Sequence, residues 1–158
     1  MIEQYLQMLE QSLDQKKKML DQLIKLTKDQ GKSLEQDPVL WDDFDRLVDQ
    51  KAELIERLDK MDDGFEKVYE RIREELDQER DQHQDRILAI QKKIQTVTDA
   101  GASLMAAEQK NKTLVETKMS EEKKKLQQSK VSSKAATNYY RTMNKVNYID
   151  PQLMDKKK

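Results

Sequence analysis

The chain contains one histidine and no cysteine, so its capacity for chemistry rests almost wholly on carboxylates. His83 lies in the stretch DQHQD, between acids and amides and with no apolar neighbour. A histidine in such a setting reads as a solvated helix residue, the alternative for this residue type being a pH switch. Two carboxylate pairs stand out, Asp42-Asp43 and Asp62-Asp63. A general acid needs an apolar pocket that raises its pKa. These pairs stand instead among helix-start and turn residues, where capping is the expected duty. A carboxylate-bridged metal pair asks for Glu-x-x-His on facing helices, and a lone histidine does not supply it. The sequence has no Ser/His/Asp set, no Gly-rich phosphate loop and no HExxH. The expectation is a protein that is not an enzyme and that takes no cofactor and no metal.

The elements that carry these residues follow from composition and rhythm. Charged residues make up 39% of the 158 and apolar residues only 35%, against usual shares of about 25% and about 45–50%. Three glycines and two prolines leave few turn formers for a sheet. Long helices that bury narrow stripes satisfy both facts. No apolar run approaches 18 residues, so no membrane span is expected. The opening MIEQYLQMLE lacks the basic and apolar blocks of a secretion signal, and a cytoplasmic location follows as an expectation. Absence of cysteine removes disulfides and thiolate metal sites.

Apolar residues recur at steps of three and four through Ile2, Leu6, Leu9, Leu13, Leu20 and Leu23, with Lys16 as the polar interruption. That spacing lines one helical face, and Gly31 supplies an end. Asp37-Pro38 reads as the next start, with the aspartate as cap and the proline at the first helical position. The rhythm resumes through Leu40, Phe44, Leu47, Leu54, Leu58, Met61, Phe65, Val68 and Ile72, with Lys51 as its gap. Asp62-Asp63-Gly64 favours a turn, and a break there lets the chain fold back. An extra residue before Leu76 shifts the stripe, as a stutter does. Residues 77–86 contain no apolar side chain and read as a second junction or a solvated stretch. Ile87, Ile90, Ile94, Val97 and Leu104 resume the stripe, with Gly101 on the same register. Met8, Met19, Met61 and Met105 read as stripe fillers.

The fold expected is all-α: an elongated antiparallel bundle of three to four long helices with coiled-coil packing. It spans residues 1–128, with helices at about 2–30, 38–61 and 65–128. A basic, tyrosine-bearing tail follows at 129–158. Charge divides unevenly, with net 0 over residues 1–36, −8 over 37–100 and +7 over 101–158. The simplest use is internal, the basic last third lying against the acidic middle. The lysines are diluted by Ser, Gln and Glu and carry no nucleic-acid motif, so no nucleic-acid partner is expected. The tail holds Tyr139, Tyr140, Met143, Tyr148, Ile149 and Leu153, with Met154 beside them. Unfolded tails normally lack aromatics. Anchors at this spacing dock a short segment either on its own bundle or on another protein, and both readings stand. These six residues are the candidate partner-binding set.

The chain also resembles the flagellar export chaperones of the FlgN type, with the FliT type a close rival. The likeness lies in MIEQYLQMLEQSL, in FDRLVDQKAELIERLDKMDDGF, in AEQKNKTLVE and in the ending NYY…YIDPQLMDKKK. Glu108, Asn111 and Leu114, ahead of a tyrosine-bearing tail, are its more telling residues. That resemblance implies a helical bundle without enzymatic activity. It implies binding to hook-associated or filament-cap subunits, which the protein keeps unassembled and delivers to the export gate. A homodimer is compatible with it. A structural coiled-coil adaptor with no secretion role suits the residues alone equally well.

Overall fold

A computed structural model of the chain describes residues 2–125, all of it helix and connecting turns. Helix α1 spans Ile2–Glu35, α2 spans Trp41–Gln78 and α3 spans Gln84–Lys125. At ~1.5 Å per residue they are about 51, 57 and 63 Å long. A single 3-10 turn, Arg80–His83, makes the elbow between α2 and α3. Contacts between side chains give the directions. Tyr5 meets Arg71, Lys16 meets Asp62 and Gln30 meets Lys51, so α1 and α2 run antiparallel. Glu10 meets Arg86, Asp14 meets Lys93 and Thr27 meets Glu108, so α1 and α3 run parallel. The bundle is therefore up-down-up, and the two ends of α1 lie beside the elbow and beside the start of α2.

Helix α1 packs along both partners. Across α2 and α3, in contrast, no pair of Cα atoms comes within 8 Å among the described residues. The core is a thin stripe from end to end, with Leu6, Leu23, Leu58, Ile94 and Leu104 among its most enclosed members. Each such side chain contributes about 1.5–3 kcal/mol by leaving water.

Several expectations change. The break at residues 62–64 is absent, because α2 runs straight through it. Asp62 faces inward, its carboxylate 2.9 Å from the Lys16 ammonium, while Gly64 faces solvent with nothing within 4 Å of where a Cβ would stand. The true reversal is the apolar-free stretch around the 3-10 turn. Gly31 does not end α1, which continues to Glu35. Asp37 caps nothing and Pro38 precedes the helix. Leu40 is the N-cap, without a side-chain cap bond, and its N–H donates to the Ser33 carbonyl at 3.2 Å to tie the turn. Asp42 and Asp43 do stand in the first turn of α2, favourable beside its positive end. Tyr69 rather than Val68 takes the buried register, and Met8 is half exposed, one position off the Leu6–Leu9 line. The tail residues Tyr139, Tyr140, Met143, Tyr148, Ile149 and Leu153 lie outside the described residues.

An exposed helical glycine costs about 1 kcal/mol relative to alanine. Gly64→Ala is accordingly expected to raise the unfolding free energy by about that amount. Urea denaturation of the two proteins checks it, and a loss of stability would restore the turn.

Candidate functional site

The polar gaps in the helical stripes converge. Lys51 on α2 is fully buried, Glu108 on α3 is 2% exposed, and both lie beside Thr27, Gln30 and Asn111. The Lys51 ammonium stands 2.6 Å from Glu108 Oε2 and also donates to Gln30 Oε1. Gln30 Nε2 in turn donates to the Phe44 carbonyl at 3.3 Å. The Thr27 hydroxyl has the Leu23 carbonyl at 2.7 Å and Glu108 Oε2 at 3.2 Å. Asn111 Nδ2 donates to the Thr27 carbonyl at 2.7 Å. Helices α1, α2 and α3 thus each contribute to one polar layer within the largely apolar stripe.

Local sequence explains the positions. Lys51 follows Phe44 and Val48 at a helical step and precedes Ile55 and Leu58. Glu108 and Asn111 continue the line Val97, Gly101, Leu104 at steps of three and four, and Val115 follows. Gly31 lies where α1 passes α3, and a Cβ there would come 3.2 Å from Asn111 Oδ1. Its lack of a side chain lets the helices close over the asparagine.

Burial dominates the electrostatics. It pulls the Lys51 ammonium down from 10.5 to about 8, against the opposing attraction of Glu108. It also pushes the Glu108 carboxyl up, against Lys51 and the Thr27 hydroxyl. Glu108 Oε1 is buried without a hydrogen-bond partner, so only one carboxylate oxygen is compensated. Asp62 is likewise raised by burial, with Lys16 opposing.

A second polar cluster sits at the elbow. His83 is buried, contrary to its solvated reading, because the 3-10 turn folds it against the start of α1. Its Nδ1 lies 2.9 Å from Glu3 and its Nε2 3.3 Å from Glu79. Arg86 adds a contact to Glu10 at 3.0 Å. At the other end Trp41 Nε1 donates to the Glu122 carboxylate, 2.7 and 2.8 Å from its oxygens, and Trp41 meets Phe44 edge-on at 5.8 Å.

Of the sequence candidates, Glu108 and Asn111 stand within the central layer, while Leu114 is half buried beside it. Lys51, Thr27 and Gln30 were missed as a group. The signal was available: a lysine that interrupts an apolar register needs a buried partner, and Glu108 interrupts the facing one. Among the described residues no cluster of three or more His, Asp or Glu side chains is arranged to hold a metal, and no helix is long and apolar enough to cross a membrane. Among the described residues the architecture defines an all-helical bundle of three packed helices with a buried ionic layer. No protein-family model matches the chain, and no curated protein or solved structure shows significant similarity to it.

Removing one member of a buried ion pair strands the other and costs about 3–5 kcal/mol. Lys51→Met is expected to destabilise by that amount, and adding Glu108→Gln should recover most of it, read by urea denaturation at neutral pH. The pH dependence has a defined sign. Because the folded Lys51 pKa is about 8 and the ordinary value is 10.5, between those limits the unfolded chain holds a proton that the folded chain has released. Stability then rises with pH across that window. Relative to the Lys51→Met/Glu108→Gln protein, the wild type should gain stability between pH 7.5 and 9.5. A constant difference would show that Lys51 does not titrate there.

Proposed function

We propose that this protein is a non-enzymatic, cytoplasmic secretion chaperone of the flagellar type III pathway, resembling the FlgN type or its FliT-type rival. Its cargo would be hook-associated or filament-cap subunits, held unassembled and passed to the export gate. The observation that carries the reading is the position of Glu108 and Asn111. Glu108 meets Lys51 and Thr27, and Asn111 meets Thr27, in a layer that joins α1, α2 and α3. Coiled-coil packing belongs to the same proposal. It is supported by the three- and four-residue steps of the buried positions Leu6, Leu9, Leu13, Lys16, Leu20 and Leu23.

A bundle so built contributes rigid length and a charged exterior. The contact residues proposed for partners are Tyr139, Tyr140, Met143, Tyr148, Ile149 and Leu153. Tyrosine suits that task because it supplies large contact area at low entropic cost. Ordering a cargo segment on the surface costs about 2–5 kcal/mol, which leaves a moderate affinity suited to handover.

Calorimetric titration with C-terminal peptides of hook-associated subunits is expected to show saturable binding, and absence of binding to any export substrate ends the proposal. Replacing Tyr139, Tyr140 and Tyr148 together by alanine should leave helicity unchanged. It should weaken the partner contact by more than about tenfold, the loss of roughly 1.4 kcal/mol.

A further inference from the structure

Helix α1 is held differently along its two halves. In the second half, Asn111 Nδ2 donates to the Thr27 carbonyl and Gln30 Nε2 to the Phe44 carbonyl, so buried side chains bind main chain across both interfaces. Gly31 lets α1 approach α3 so closely that a Cβ there would stand 3.2 Å from Asn111 Oδ1. A short turn, tied by the Leu40 N–H to the Ser33 carbonyl, joins this half covalently to α2.

The first half relies on side-chain ties nearer the surface. Arg86 meets Glu10 at 3.0 Å and Glu3 at 3.8 Å, His83 Nδ1 meets Glu3 at 2.9 Å, and Lys93 meets Asp14 at 2.6 Å. Tyr5 accepts from Arg71 at 3.3 Å, the guanidinium lying 6.0 Å from the centre of its ring. Glu3 and Asp14 are exposed, and ion pairs of exposed groups contribute little each. Under the same half lies the apolar cavity of ≈ 30 Å³, walled by Leu6 and Leu9 of α1, Tyr69 and Leu76 of α2, and Ile90 and Ile94 of α3. Side chains that border a void forfeit dispersion contacts on that side. Sparse packing and exposed ties are the conditions for local opening.

We propose that residues 2–14 of α1 form a lid over the elbow, latched by Arg86 and His83, that opens as one unit while residues 16–35 stay packed. The contact of buried Lys16 with Asp62 at 2.9 Å marks the boundary. Arg86 is the hub of the latch, because it reaches two successive turns of the lid at Glu3 and Glu10. His83 is held on its other side by Glu79, 3.3 Å from Nε2, which ties the lid to the elbow itself. When the lid lifts, Tyr69, Leu76, Ile90 and Ile94 lose their α1 cover, and the elbow presents an apolar face that the closed bundle hides. The motion does not depend on the function proposed above.

Native-state amide hydrogen exchange of the full-length protein, read by NMR at sub-denaturing urea, tests the lid. Amides of residues 6–13 should share one opening and be protected more than about tenfold less than those of residues 20–30. Their exchange should also depend less steeply on urea, because a partial opening exposes less surface. Arg86→Met keeps the stem on α3 and leaves the composition of α1 untouched. It should speed exchange at residues 6–13 by about twofold to fivefold, the worth of such ties, and leave residues 20–30 unchanged. Equal protection of the two halves overturns the proposal. Protection that climbs smoothly from residue 6 onward also overturns it, since that is fraying of a helix end. Equal acceleration of both halves by Arg86→Met overturns it as well, and makes the contact part of the global fold.

Discussion

The ion pair between Lys51 and Glu108 is the constraint around which the bundle is arranged. It reaches from α2 to α3, whose backbones stay apart, and it does so with both charges almost wholly removed from water. Taking two ions out of water costs several kcal/mol each, and their attraction offsets this only with good geometry and further hydrogen bonds. Gln30, Thr27 and Asn111 surround the pair with such bonds. The opposite pKa displacements of the two partners, lysine down and glutamate up, show burial outweighing attraction on both sides. A layer of this kind is a weak source of stability. Its use is register: sliding α2 by one turn would leave an ammonium among leucines.

Register matters here because the apolar stripe specifies position poorly. Leu6, Leu9, Leu13, Leu20 and Leu23 are nearly interchangeable knobs, and a helix of 34 residues shifted by seven would still bury leucine on leucine. Lys16 with Asp62 and Lys51 with Glu108 are not interchangeable, and together they peg α1 and α3 against α2 at two heights. His83, held between Glu3 and Glu79, fixes the elbow to the start of α1, and Trp41 with Glu122 closes the far end. Each long interface is thus apolar for adhesion and polar at a few levels for alignment.

The same economy shapes the surface. A narrow core leaves most of each helix charged, and the excess of acids falls on α2 and the elbow. At the elbow end a small apolar cavity of about 30 Å³ lies among Leu6 and Leu9 of α1, Tyr69 and Leu76 of α2, and Ile87, Ile90 and Ile94 of α3.

Much of the architecture was legible beforehand, for a local reason. Helix and stripe depend on spacing within a single segment, so the all-α class, the long elements and most core positions follow from residue periodicity. Glu108 and Asn111 fall on the buried register of α3. What spacing does not encode is the identity of facing residues. Asp62-Asp63-Gly64 reads as a turn in isolation, yet Lys16, 46 residues earlier, holds Asp62 inside a continuous helix. His83 reads as solvated until the elbow folds it onto Glu3, 80 residues away. The sequence by itself therefore determined which faces would be buried. Only the tertiary structure decided which buried charges would meet, because that depends on distances between helices and not on intervals along one of them.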